Sequence, residues 1–283
     1  MSTILVVGAN GTVGSALAAQ LEAAGHQVRR GTSQVAGAGQ VQLDLVSGNG
    51  LAEAVAGADA VFLMAPPGYV PQDTLLVPVI DAARGAGVKK VVLMTAMGAD
   101  ADPTSPLRRA ELHLEVSGIA WNVIRPNWFM QNFRTFWLHD ILTQGAVRLP
   151  TGQGKGSFID ARDIADVAAV LLTSDSYVNQ AFNLTGDEAL DHDEVVVLLS
   201  NASGTSIRYE DITPDAMRAG LLAAGLPVGY ADFLVMILGY FKLGYSAAVS
   251  PAVQQITGHA PRRFVDFANE FATTWQRDTA DVG

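Results

Sequence analysis

The chain has 283 residues, a formal charge of −10, 49% hydrophobic and 16% charged residues, and no cysteine. It is long enough for one large α/β domain with a buried core, and too apolar for a disordered chain. The acidic balance argues against nucleic acid and anionic membrane as partners, and the missing cysteine excludes disulfides, thiol catalysis and thiolate-bound metal.

Ile4-Leu5-Val6-Val7 reads as a short strand buried on both faces. Gly8, Gly11 and Gly14 follow, then Val13, Leu17 and Leu21 recur at helical spacing until Gly25 ends the run. The pattern is strand, tight turn and helix N-terminus. Gly8 permits the turn, Gly11 lets the backbone approach a pyrophosphate, and Gly14 lets helix and strand pack closely. Exposed N–H groups and the positive helix end favour a diphosphate, which predicts a dinucleotide loop; the alternative is an empty glycine-rich turn. A second strand, Gln27 to Arg30, follows on schedule. The stretch "VRRGTSQ" (Val28–Gln34) holds no acid for the ribose hydroxyls of NAD. Its arginines and hydroxyls suit a 2′-phosphate, predicting NADP(H) in preference to NAD(H). Alternatively, Arg29 and Arg30 cap a strand end in solvent.

Further strand signals lie at Val41–Leu43, Ala60–Met64, Lys90–Met94, Ala120–Ile124 and Ala181–Leu184. Helical stretches fall near Leu51–Ala56, Thr74–Ala86, Leu107–Ser117, Trp128–Leu142 and Ala161–Thr173. This alternation predicts an α/β, doubly wound parallel sheet of Rossmann type. After Gly186 the rhythm gives way to mostly helical segments. The predicted division is a dinucleotide-binding domain over 1–186 and a substrate-covering region over 187–283, packed on the sheet's carboxyl edge. The chain enters its first strand directly, and its longest apolar run, Phe233–Phe241, is about half a membrane span. A cytoplasmic protein is expected.

Ligands of such sheets bind beyond the carboxyl ends of the strands. The residues there are Asp44, Ala65-Pro66-Pro67, Thr95 and Arg125-Pro126-Asn127-Trp128. Around them, "VVGANGTVG", "FLMAPPG", "GVKKVVLMTAMGA", "GIAWNVIRPNWFMQNF" and "GKGSFIDARDIADVAAVLL" resemble the NmrA-like branch of the atypical short-chain dehydrogenase/reductases. The likeness covers nearly the whole chain, and its nearest members are the NADPH-dependent quinone and triphenylmethane-dye reductases and the ergot-alkaloid dehydrogenases. It implies a pyrophosphate loop from Gly8 to Gly14, with Asn10, Thr12 and Val13 between the glycines. It implies that Asp44, with Leu45 beside it, contacts the adenine, and that Ala65, Pro66 and Pro67 run beside the nicotinamide ribose. Thr95, Asn127 and Trp128 would flank the nicotinamide. The 2′-phosphate would fall on Gly31, Thr32 and Ser33, with Arg30 one residue early and, by strand alternation, on the other face. Bland readings stand beside these: Asp44 as a cap of the next helix, Pro66-Pro67 as a stiff turn, and Trp128, Phe129 and Phe133 as core.

Ketone reduction by a hydride needs a proton donor, which a tyrosine with a lysine one helical turn later supplies. None of the six tyrosines has that lysine, and the helix "SPLRRAELHLEVSG" contains neither residue. The polar candidates left on it are Glu111 and His113, and histidine is the side-chain type suited to proton transfer near neutral pH. An acceptor that needs no strong protonation is therefore expected: a quinone, an imine or a dye cation. The apolar stretch from Gly225 to Ser250 suits a cover for an apolar or aromatic small molecule, or else a buried helix or homodimer seam. The five histidines show no metal spacing, and no Gly-x-Ser-x-Gly elbow occurs. The leading expectation is an NADPH-dependent reductase. The alternatives are a non-catalytic NAD(P)-sensing regulator and a non-redox isomerase or cyclase on the same fold.

Overall fold

The computed structural model describes residues 1–34 and 37–276. In chain order the elements are β1 (Thr3–Val7), α1 (Thr12–Ala23), β2 (Gln27–Thr32), β3 (Gln40–Gln42), α2 (Leu51–Val55), β4 (Ala60–Met64), α3 (Asp73–Gly85), β5 (Lys90–Met94), α4 (Pro106–Glu115) and β6 (Ala120–Pro126). They continue with α5 (Leu138–Gln144), β7 (Ala146–Leu149), α6 (Ala161–Thr173), β8 (Gln180–Leu184), α7 (His192–Ser203) and β9 (Arg208–Asp211). The remaining helices are α8 (Pro214–Ala223), α9 (Val228–Lys242), α10 (Ala252–Thr257) and α11 (Phe264–Glu270).

The chain resolves into two compact units. The first comprises Met1–Pro126, Ala161–Leu184 and Ala252–His259, and the second Asn127–Asp160, Thr185–Pro251 and the segment from Ala260 onward. Where the sequence suggested one division after residue 186, the chain crosses between the units repeatedly.

The first unit is a seven-stranded parallel sheet in the order β3-β2-β1-β4-β5-β6-β8. The doubly wound fold is thus the one expected. Its central strands are apolar on both faces because helices cover both. Leu5, Val61, Leu63, Val91 and Leu93 join Leu76 and Ile80 of α3 and Leu114 of α4 in one core. The alternate residues Ile4, Val6, Phe62 and Val92 are equally buried, and on the sheet α1 packs with α6. Strand order reverses between β1 and β4. That is the switch point, where the loops after neighbouring strands diverge and open a crevice.

In the second unit, β7 and β9 form a small parallel sheet that the sequence reading missed. The helix expected over Trp128–Leu142 is broken. Phe129 bridges Ile159 in extended conformation, a 3₁₀ turn spans Met130–Arg134, and only α5 is α-helical. The apolar spacing is real, but it serves an aromatic core of Phe133, Phe158, Phe264, Phe267 and Trp275. Among the described residues no helix is long and apolar enough to cross a membrane.

Candidate dinucleotide site

The loop after β1 is built as its glycines require. Gly8 has φ +73°, a region that favours glycine, and its N–H donates to the Gly31 carbonyl at 3.2 Å. Gly11 N–H donates back to the Gly8 carbonyl at 2.9 Å, closing the turn. A Cβ on Gly14 would lie 2.2 Å from that same carbonyl oxygen, so α1 and the loop touch backbone to backbone. A Cβ on Gly11 would meet only the Gly8 oxygen, at 3.2 Å. Gly11 caps α1 without a side chain, and no acid lies in the helix's first turn. The first N–H groups of Thr12, Val13 and Gly14 and the positive helix end thus have no built-in counter-charge, which fits a pyrophosphate.

The two glycines predict different failures. Gly14→Ala is expected to destabilise the fold by roughly 1–3 kcal/mol through overpacking, read as a lower urea midpoint. Gly11→Val is expected to melt near the parent temperature yet lose dinucleotide binding, seen by titration beside the melt. Unchanged binding would mean that the loop holds nothing.

Beside the loop, Asn10 Nδ2 donates to Thr32 Oγ1 at 3.2 Å, and Ser33 is exposed one residue on. Arg30 lies elsewhere. Its Nε and Nη2 form a bidentate pair with Glu22 of α1, at 3.0 and 2.7 Å. The pair with Glu22 thus holds the Arg30 guanidinium against α1, and its candidacy as phosphate reader passes to Thr32 and Ser33. Asp44 does not cap α2, whose N-cap is Gly50. Its carboxylate accepts from Val46 N–H at 2.9 Å and the Ser47 hydroxyl at 2.6 Å, in that order of residues organising the turn after β3. The Ser47 hydroxyl first, then the Val46 amide, hold its pKa below the ordinary carboxylate value. With Leu43, Leu45, Leu51, Thr74 and Val79, Asp44 lines a recess of about 230 Å³. Ala65, Pro66 and Pro67 follow β4, across the switch point from Gly8.

Thr95 follows β5 directly, is 8% exposed, and donates its hydroxyl to Glu111 Oε1 at 2.7 Å. Glu111 of α4 is fully buried. Arg125 of β6 reaches it through Nε at 3.0 Å and Nη2 at 2.6 Å, and Arg108 through Nη1 at 2.8 Å. Arg125 Nη1 also pairs with Asp100 at 2.6 Å. Burial raises the Glu111 pKa, but donors from Arg125, Thr95 and Arg108 outweigh it and leave the carboxyl below its usual value. Glu111 is therefore an ionised carboxylate, not an acid. His113, two residues along α4, lies about 200° around the helix from Glu111. Its Nε2 sits 2.8 Å from Asp81 of α3, so the structure does not bring it to Thr95.

In the second unit, Asn127 Nδ2 donates to Ser157 Oγ at 2.7 Å and the Ser246 carbonyl at 2.8 Å. Its Oδ1 accepts from Trp128 N–H at 2.9 Å. Both amide hydrogens are consumed in tying three segments together. Trp128, half-buried, packs edge-on to Phe241 and tilted against Trp137. Sequence reasoning put Arg125 at a strand end without giving it a partner, and missed Arg108 and Ser157. A buried arginine in the apolar strand "AWNVIRP" was the available signal, since such a charge requires a carboxylate partner. It also missed that Asp163 and Asp166, three residues apart on α6, and the distant His259 bring ligand atoms within 4.8 Å of one another.

A strand, a glycine turn and an uncapped helix at a sheet's switch point define a dinucleotide-binding α/β protein. The family model described as NAD(P)H-binding matches residues 8–175. The NAD(P)H azoreductase of Xenophilus azovorans is 34% identical to the chain, over 96% of it and 99% of the relative. The agroclavine dehydrogenase of Claviceps fusiformis is 30% identical, over 76% of the chain and 75% of the relative. Among solved structures, the NADPH-dependent quinone oxidoreductase of Escherichia coli superposes with a TM-score of 0.80 at 24% identity, covering 94% of this chain and 98% of that one. The chain belongs to the NAD(P)H-binding family.

Proposed function

We propose that the protein is a cytoplasmic NADPH-dependent reductase that passes a hydride to a conjugated, apolar or aromatic small molecule such as a quinone or a protonated imine. The observation that carries this is the state of Glu111. The polar group behind Thr95 is an ionised, fully hydrogen-bonded carboxylate, and His113 is tied to Asp81. Neither offers a proton to a nascent alkoxide, and the sequence holds no tyrosine–lysine dyad. Acceptors that leave a stabilised anion or a neutral amine need no such donor. The 34% identical azoreductase supports a redox role.

NADPH is the favoured form because the segment after β2 lacks an acid and presents Thr32 and Ser33 beside Asn10. A bound dinucleotide supplies the hydride. The protein's own residues hold its pyrophosphate at Gly8–Gly14, its 2′-phosphate at Thr32 and Ser33, and its adenine beside Asp44 and Leu45. Ala65, Pro66 and Pro67 line its second ribose, and Thr95 stands at the nicotinamide end.

The test is NADPH oxidation followed at a fixed wavelength against quinones, imines, azo dyes and aldehydes. Turnover of quinones and imines and not of aldehydes is expected. Tight dinucleotide binding with no turnover would identify a regulator instead. In a separate measurement, calorimetry should show NADPH binding about ten- to a hundredfold tighter than NADH, as a charge-assisted phosphate contact provides. Thr32→Ala with Ser33→Ala should narrow that gap, and Arg30→Ala should leave it. Equal affinities would sink the preference.

A further inference from the structure

The Thr95 hydroxyl has one hydrogen, and the structure shows where it goes. Glu111 is acceptor-only, so the 2.7 Å contact between them is a donation from Thr95. Glu111 cannot turn away. Oε1 also receives Arg125 Nε, Oε2 receives Arg125 Nη2 and Arg108 Nη1, and the four acceptor directions of the carboxylate are filled. Arg125 is itself braced by Asp100, and Arg108 by Glu115 at 2.7 Å. What Thr95 Oγ1 can still offer to any further partner is a lone pair.

We propose that Glu111 is a positioning residue that fixes Thr95 as a hydrogen-bond acceptor toward the ligand, so that the site selects an N–H group there and disfavours a carbonyl oxygen. This rests on the reading that Thr95 faces the nicotinamide end. A carbonyl or oxyanion brings only lone pairs, and opposite Thr95 Oγ1 it meets another. An amide, protonated imine or hydrazine N–H meets its complement. The N–H has two sources, the nicotinamide carboxamide or the nitrogen of the acceptor, and the chemistry recognised is the same.

Three variants and two ligand pairs decide it. Thr95→Val removes the acceptor, Thr95→Ser keeps it, and Glu111→Gln reverses it. In Glu111→Gln the new carbonyl goes to the position fed by two arginine N–H groups, which leaves its NH₂ facing Thr95 and frees the hydroxyl hydrogen. The first ligand pair is NADPH and its 3-acetylpyridine analogue, whose ketone lacks the N–H, compared by binding. The second is a protonated imine and a benzoquinone, compared by kcat/KM.

If the carboxamide is the source, Thr95→Val weakens NADPH by about three- to tenfold and spares the analogue. If the acceptor is the source, binding of both dinucleotides holds and the imine alone loses about that factor. In either case Thr95→Ser restores the parent value, and Glu111→Gln moves the ratio toward the carbonyl ligand by a similar factor. Equal effects on both members of each pair, or a greater loss for the carbonyl member, would overturn the proposal. Should Glu111→Gln fail to fold, the Thr95 variants decide alone. Should no acceptor be turned over, the reductase reading fails and the dinucleotide pair still tests Thr95.

Discussion

Arg125→Met is expected to destabilise the protein by about 3–5 kcal/mol, the usual cost of stranding one member of a buried ion pair. The substitution keeps most of the side-chain volume but strands Glu111, which is fully buried and takes two of its hydrogen bonds from Arg125. Arg108 and Thr95 remain as donors, so the loss should sit at the lower end of that range if α4 shifts toward Arg108. Replacing the pair together, Glu111→Leu with Arg125→Met, should recover most of the stability, because well-packed apolar groups need no counter-charge. The measurement is a double-mutant cycle in urea. Additive losses would show that the two side chains do not depend on each other. The recovered double variant should still lack the ligand selectivity of Thr95, since its hydroxyl would be released.

The second large effect is on acid stability, through His192. It opens α7 and is 1% exposed. Its Nδ1 sits 2.9 Å from Thr151 Oγ1, which also contacts Tyr209 OH at 2.9 Å, and Nε2 has no partner. Phe133, Trp137, Phe158, Tyr209 and Phe241 surround the ring at centroid distances of 5.0–6.1 Å. Asp211, beyond the Tyr209 hydroxyl, is the carboxylate on this network. Burial pushes the His192 pKa from 6.5 down to about 3. The unfolded chain then binds the proton first, so stability is full above pH 6.5 and falls as the pH drops toward 3. One pKa unit corresponds to about 1.4 kcal/mol, which gives a loss of about 2 kcal/mol by pH 5 and on the order of 5 kcal/mol by pH 3 from this group. Urea midpoints across that window should follow the slope, and His192→Phe should flatten it while Thr151 keeps Tyr209. A His192→Phe protein with the parent slope would assign the acid lability elsewhere.

The sheet was legible because its strands are buried on both faces and read as unbroken apolar runs between turn residues. The glycine loop was legible because close backbone approach leaves a residue-type signature, as at Gly14. The second unit was not. β7 and β9 are four residues each, and β9 is the charged stretch "RYED", which carries no apolar alternation. The false helix after Pro126 arose because Phe129, Phe133 and Trp137 recur every four residues, while Phe133 and Trp137 meet for a tertiary reason, the packing of aromatic rings. The site divides the same way. The strand-end positions Asp44, Ala65 and Thr95 follow from topology. Which way Arg30, Glu111 and His113 point depends on strand face and helix phase, and one residue of error exchanges a partner for solvent.

The connectivity of the two units bears on how the protein is made. β8 is the edge strand of the large sheet, and α10, which packs on β8 and α6, is supplied by Ala252–Thr257. A ribosome adding about 5–20 residues per second takes several seconds over the intervening Thr185–Pro251. During that interval the nascent chain carries a nearly complete sheet whose last flank is bare, an edge open to mispairing. β7 likewise waits for β9, and Asn127 for Ser246. A chain halted at residue 186 is thus not a smaller working domain but an unfinished one, so chaperone dependence should fall on translation of the last hundred residues.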